Sequence, residues 1–183
     1  MIHISNNKIK KLYNVSQSCI VKPRGLWYAN ADEWLKYFSK YNEKIKECKY
    51  VYELKLKYTE YKKKNINKIL QISTEKIFDK FTIKYGIVEK SKYSDDDYSI
   101  FINWTDVAKD YGGIEVMPLI HSRLTTRRKL DINVVKKYNA KFKFTKKVKD
   151  TTSLMFWLYT LDIASGCVWN PKAVRSIKRI YKI

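Results

Sequence analysis

The stretch "KPRGLWYANADEWLKYF", Lys22–Phe38, holds one of the chain's five glycines and two of its five tryptophans. From Gly25 to Ala29 the residues are apolar or aromatic behind a glycine, the signature of a buried strand. Asn30 can then cap a helix. Within "ADEWLKYFSKYNEKI", Trp34, Tyr37, Phe38 and Tyr41 fall at i, i+3, i+4 and i+7, which puts four rings on one helical face. A strand that feeds such a helix must receive its aromatic stripe. The stripe reads either as core packing or as the wall of a seat for a flat ligand.

On the N-terminal side, "IHIS" (2–5) is β-like, and "NNKIKKL" reads as a short helix capped by Asn6 or Asn7. Further along, "YVYELKLKY" (50–58) alternates and reads as a strand with one wet face. "ILQIST" (69–74) is another strand, with Ser73 or Thr74 capping a helix that ends near Gly86. "VEKSKYSDDDYS" is polar and reads as a loop. "INWTDVAKDYGG" reads as a helix stopped by Gly112 and Gly113, and "IEVMPLI" as a strand in which Pro118 marks an edge or a bulge. "LMFWLYTLDIASGCVW" reads as a buried strand turning at Ser165–Gly166. "PKAVRSIKRIYKI" reads as a basic helix. There is no repeat and no linker, so residues 1–183 are expected to form a single α+β domain.

The 183 residues are 45% hydrophobic, enough for a proper core. No apolar run is long enough to span a membrane, and no secretory pattern opens the chain. The expected setting is therefore intracellular, cytoplasmic or nuclear, with no membrane partner. Cys19, Cys48 and Cys167 are widely spaced and lack histidine neighbours, so they read as reduced thiols and no metal is expected. The net charge of +20 attracts polyanions. Only six of the 38 basic residues are arginine. The lysine excess accompanies abundant Asn, Ile and Tyr, as in AT-rich coding sequences, so charge alone does not establish a nucleic-acid partner. Dinucleotide-binding glycine fingerprints, P-loops, nucleophile elbows and HExxH helices are all missing from the sequence. The acidic run "SDDDY" (94–98) reads as solvated loop.

One constellation remains: His3 with Ser5 on an early strand, "GLWYA" opening an aromatic helix, and Glu115 on the later strand "GIEV". In order and spacing this resembles the His-Tyr-Glu branch of the ADP-ribosyltransferase superfamily, which includes diphtheria-like toxins and poly(ADP-ribose) polymerases. That branch places a His-Gly-Ser/Thr strand first, a Gly-Ile-Tyr-Phe-Ala strand second and a glutamate late. There are two departures. Ile4 stands where the family has glycine, and Trp27 stands at the family's tyrosine with Tyr28 beside it. Alternation sends Trp27 and Tyr28 to opposite faces; both are candidates, with Tyr28 preferred.

The resemblance implies a split mixed β-sheet with flanking helices, and NAD as co-substrate. It implies catalytic roles for Glu115, His3 and Tyr28. The NAD-binding set would be His3, Ile4, Ser5, Arg24, Trp27, Tyr28, Trp34 and Tyr37. In this reading His3 and Ser5 bond ribose hydroxyls and the Ile4 backbone bonds the nicotinamide amide. The rings clamp the cationic nicotinamide, Arg24 and Lys22 are near for the pyrophosphate, and Glu115 stabilises the oxocarbenium-like transition state. The implied activity is a mono-ADP-ribosyltransferase that releases nicotinamide and modifies a macromolecular acceptor, nucleic acid or protein. Competing readings are an NAD-dependent RNA 2′-phosphotransferase and a non-catalytic basic nucleic-acid-binding protein. Each residue also has a plainer role: Trp104, Trp157 and Trp169 as core, Glu115 as an ordinary strand residue, and Asp162 as a turn cap.

Overall fold

The computed structural model describes residues 1–18, 21–41, 48–90, 98–123, 132–143 and 156–182. Among these described residues ten strands run β1 (Ile2–Ser5), β2 (Leu26–Ala29), β3 (Tyr50–Leu56), β4 (Tyr58–Thr59), β5 (Asn65–Ile72), β6 (Gly86–Lys90), β7 (Tyr98–Ile102), β8 (Tyr111–Val116), β9 (Ser165–Val168) and β10 (Val174–Lys182). Five helices accompany them: α1 (Ala31–Tyr41), α2 (Glu75–Tyr85), α3 (Trp104–Asp110), α4 (Ile132–Phe142) and α5 (Phe156–Tyr159).

Eight strands form one mixed sheet in the order β10-β3-β1-β2-β9-β8-β5-β4, and β6 and β7 form a separate antiparallel pair. The large sheet curls. Lys57 alone separates β3, next to one edge, from β4 at the other edge. Its amide bonds the Ala173 carbonyl at 2.9 Å, and its carbonyl accepts from the Ile69 amide at 2.8 Å. The two ends of the sheet are therefore drawn together. The α+β class and the mixed sheet agree with the sequence.

The outer face carries the larger core. Leu70, Ile72, Ile114, Val116, Cys167 and Trp169 of the sheet pack on Phe78 and Phe81 of α2, Trp104 of α3 and Trp157 of α5. Trp157 stacks on Phe78 with centroids 4.8 Å apart, and its indole N–H donates to Thr82 Oγ1 at 3.2 Å. The three tryptophans read as core are core. Thr74 caps α2 by accepting from the Ile77 amide, as the sequence suggested. Arg123, itself buried, grips Asp79 through Nε (3.0 Å) and Nη2 (2.7 Å). Tyr138 of α4 donates to the same carboxylate at 2.9 Å, tying α4 to α2.

The inner face is smaller. Tyr28, Leu54, Ile69, Val168 and Ala173 pack there with Leu26, Leu56 and Tyr58. In β3, Tyr52 and Leu54 are buried while Glu53 and Lys55 are exposed, the alternation read from the sequence.

Four expectations are corrected. The C-terminal segment is the edge strand β10, not a helix. Its register against β3 slips between Val174 and Ser176 and again between Arg179 and Tyr181. Each slip inserts a residue, so the apolar Val174, Ile177 and Ile180 recur every three positions, as on a helix. Gly112 and Gly113 do not stop α3 but lie inside β8. There a Cβ on Gly113 would stand 2.7 Å from the Cys167 carbonyl oxygen, so close strand approach explains that glycine. Residues 6–18 form no helix. They are held as an extended cover, with the Val15 amide on the Trp169 carbonyl (3.0 Å) and the Ile9 amide on the Tyr52 hydroxyl (2.8 Å). Phe156–Tyr159 is helical rather than strand, and Gly166 sits inside β9 rather than at a turn. The polar loop falls mostly at 91–97 and the acidic run at 94–98, outside the described residues save their ends, as are Cys19 and much of the basic stretch 123–149.

Gly166 carries a sharper constraint. A Cβ there would lie 2.3 Å from Cζ of Tyr28. Gly166→Ala should therefore displace the ring and lower unfolding free energy by about 1–3 kcal/mol. Urea denaturation checks this. Combining it with Tyr28→Leu should cost less than the sum of the two single changes.

Candidate functional site

The first half of the site is set by where β1 and β2 part. They pair at a single register, Ile2 opposite Ala29. Continued, that register would set Ile4 opposite Trp27 and offer the Trp27 carbonyl to the Ile4 amide. Instead His3 Nδ1 stands 2.6 Å from the Trp27 oxygen and donates to it. An imidazole thus replaces a ladder bond, and the strands open. On its other side β1 is fully paired to β3, from Ile2 with Glu53 to Ser5 with Tyr50.

Helix α1 covers this opening. Trp34 Nε1 donates to the Ile2 carbonyl at 2.9 Å, which fixes the helix over the end of β1. The Trp34 ring stacks with Phe38 (6.0 Å) and meets Tyr37 edge-on (5.9 Å). The Tyr41 side chain, fourth in the stripe, lies outside the described residues. Between α1, β1, β2 and the loop before β9 lies a cleft of about 480 Å³. Ile4, Ser5, Lys22, Trp27, Tyr28, Trp34, Tyr37, Phe38, Cys48, Thr160, Asp162 and Ser165 are among the residues that line it. Lys22 Nζ lies 5.8 Å from the Trp27 ring centroid and 3.5 Å from Asp162 Oδ2.

Of the residues the sequence proposed, Ile4, Ser5, Lys22, Trp27, Tyr28, Trp34 and Tyr37 therefore converge. Ser5 Oγ is also engaged in a local turn, donating to the Asn7 carbonyl at 2.9 Å. Arg24 does not line the cleft. Its side chain is exposed, and its backbone is clamped by Gln17, which donates to the Arg24 carbonyl (2.7 Å) and accepts from its amide (2.8 Å). The cation at the cleft is Lys22.

Tyr28 and Glu115 form the other half of the predicted triad, and they sit inside the sheet. Register places Tyr28 opposite Gly166 and Gly166 opposite Glu115, with Gln71 opposite Glu115 on the far side. Directly paired residues share a face, so all four form one row on the inner face. The Tyr28 ring passes over Gly166 toward Glu115. Glu115, only 2% exposed, accepts from Tyr58 Oη at 2.9 Å and from Gln71 Nε2 at 3.0 Å. Burial, then the nearby Glu115 charge, raises the Tyr28 pKa well above its ordinary value; the same causes raise that of Tyr58. Glu115 is not among the residues lining the cleft. Alternation sends the Trp27 and Tyr28 side chains to opposite faces, and both residues line the cleft, Tyr28 from its fully buried position. His3, opposite Tyr52 and in step with Tyr28 through the Ile2–Ala29 pair, lies on the same inner face as Tyr28 and Glu115, so the three share a face, and of the three only Tyr28 also lines the cleft.

No family model, curated protein or solved structure matches this chain. The site therefore rests on its own geometry. Among the described residues no group of three His, Cys, Asp or Glu is placed to hold a metal ion, and no helix is long and apolar enough to cross a membrane. The cleft residues missed from sequence include Asp162, Thr160 and Ser165, while Lys22 was expected there as a cation. A single acid inside the apolar run "LYTLDIASG" was the available signal for Asp162. Nothing local could show that the run folds back beside β2.

Two outcomes follow from the inner row and the strand opening. Tyr58→Phe removes one donor from a buried carboxylate and should lower stability by about 1–3 kcal/mol in chemical denaturation. Burial lowers the His3 pKa below 6.5, partly offset by the Trp27 carbonyl. The unfolded chain then binds the proton more readily, so the His3 contribution is intact above pH 6.5 and falls as pH drops through 6.5 toward the folded value. Stability measured from pH 8 to 5 should fall more steeply in the wild type than in His3→Gln.

Proposed function

We propose that the cleft beside α1 seats the nicotinamide end of NAD and that the protein is an NAD-dependent mono-ADP-ribosyltransferase. The observation that carries this is the convergence of Ile4, Ser5, Trp27, Trp34 and Tyr37 on one cleft, together with an acid and a cation. The cleft volume lies within the usual range of small-molecule sites, about 300–1,000 Å³. The split mixed sheet of that superfamily is part of the same reading, supported by the parting of β1 from β2.

The backbone suits the amide of the ring. Met1 and Ser5 carbonyls bond to the β3 side, to Leu54 (2.8 Å) and Lys49 (3.1 Å). Alternation turns the Ile4 peptide groups the other way, toward the opening beside β2. They supply the donor and acceptor that a carboxamide needs. Trp27, Trp34 and Tyr37 supply faces for a flat cationic ring. Lys22 offers a positive charge for a phosphate, provided that Asp162 is re-paired.

In this reading the acid is Asp162 rather than Glu115. Cleavage breaks the bond between the anomeric carbon and the nicotinamide nitrogen, and its electron pair leaves with nicotinamide. The acceptor nucleophile forms the new bond at that carbon and releases its proton. A carboxylate near the ribose stabilises the positive charge that develops. Asp162 lines the cleft; Glu115 has its charge occupied by Tyr58 and Gln71 in the interior.

Calorimetric titration with NAD and chromatography of released nicotinamide test the reading. Trp27→Ala should weaken NAD binding at least about tenfold. Asp162→Asn should slow nicotinamide release by about 100- to 1,000-fold while leaving NAD affinity within about threefold. Glu115→Gln should lower thermal stability more than it changes the release rate of the folded fraction. Failure of the wild type to bind NAD at millimolar concentration would refute the proposal.

A further inference from the structure

We infer that the edge formed by β10 and residues 8–13 is a docking surface for single-stranded nucleic acid, distinct from the cleft. The inference does not depend on the NAD reading. A groove of about 450 Å³ lies between the extended cover and the start of β10, lined by Lys8, Lys10, Lys11, Tyr13, Pro171 and Val174 among others. The three lysines are exposed, and Tyr13 is 69% exposed with Lys11 Nζ 5.6 Å from its ring centroid. The groove runs on to β10. Val174 is the first residue of that strand, and the Ile9 amide is bonded to Tyr52, which pairs in register with Arg179. Lys182 pairs with Tyr50, two residues from Tyr52 on β3, so Arg179 and Lys182 project to the same side of the sheet.

The occupant is decided by charge, shape and chemistry. Among the described residues none of Lys8, Lys10, Lys11, Arg179 or Lys182 makes an ion pair, so these cations have no internal counter-charge to give up. A second copy of a chain carrying +20 is repelled. An added peptide strand is disfavoured because two register slips bend the β10 edge and lysine and arginine stud it. Phosphates spaced along a strand match the row of cations. The exposed Tyr13 ring offers a face on which an unpaired base stacks, a contact unavailable to paired bases. Phosphate and base-face contacts are common to DNA and RNA, so the surface accepts either without reading the 2′-hydroxyl.

The test is fluorescence anisotropy with labelled oligothymidylate and oligouridylate of about 15 nucleotides, without NAD. The two should bind within about threefold of each other and more tightly than a duplex of the same length. Lys10→Glu/Lys11→Glu and Arg179→Glu/Lys182→Glu should each weaken binding at least about tenfold and flatten its salt dependence, by about 0.7 in log–log slope per lost phosphate contact. Tyr13→Ala should weaken it at least about fivefold. All these side chains are exposed, and circular dichroism confirms folding of each variant. The control Lys76→Glu/Lys80→Glu, exposed on α2, should stay within about threefold. Equal losses in the control would show only diffuse charge attraction and overturn the surface. A duplex preference, a 2′-hydroxyl requirement or an unaffected Tyr13→Ala would overturn it as well.

Discussion

The Glu115 carboxylate, buried inside a curled sheet, is the constraint around which the inner face is built. A carboxylate out of water is costly unless donors replace its hydration. Here Tyr58 arrives from the β4 edge and Gln71 from the neighbouring strand β5, while the Tyr28 ring reaches across β9 from the third strand along. That reach is possible only because the residue between them is Gly166. The carboxylate's two hydrogen bonds tie β8 to β4 and β5, and the Tyr28 ring packs over β9 beside it. The carboxylate also specifies which β4 geometry closes the curl, since Tyr58 is placed by the Lys57 bonds that draw the sheet ends together.

This placement separates two jobs that the sequence had assigned to one site. A carboxylate already bonded to two donors and shut away from solvent is suited to holding strands in register. The cleft has different materials: aromatic faces, a lysine over Trp27, an aspartate and the backbone of a parted strand. The parting itself traces to His3, which spends its Nδ1 hydrogen bond on a carbonyl that a regular ladder would have used. The histidine therefore shapes the opening, whatever it binds.

Much of the fold was legible where the pattern is local. The strand–helix unit from Gly25 onward, the alternation of β3 and the Thr74 cap all follow from side-chain period and capping chemistry. The misreadings share a physical cause. In β10, two inserted residues turned a period of two into an apparent period of three. In β8 and β9, glycines that look like stop signals mark close contacts with strands distant in sequence. The site was half legible for the same reason. Residues 4, 5, 27, 34 and 37 belong to one contiguous unit, whereas Glu115 is positioned by Gln71 and Gly166, 44 and 51 residues away, and Asp162 by a β2–β9 pairing that joins Ala29 to Ser165. Face selection between Trp27 and Tyr28 depended on that distant glycine and could not be read locally.

The position of β9 has a consequence for how the molecule is made. This four-residue strand is wedged between β2 and β8, yet it is encoded well after both. Until residue 168 has left the ribosome, β2 and β8 have no common neighbour, and Glu115 faces an empty slot. The early two-thirds of the chain must therefore wait as exposed, partly paired strands, and sheet completion becomes a late event dominated by long-range closure. Such a nascent chain, lysine-rich and self-repelling, is protected from sticking to its neighbours by the same charge that decorates the finished surface.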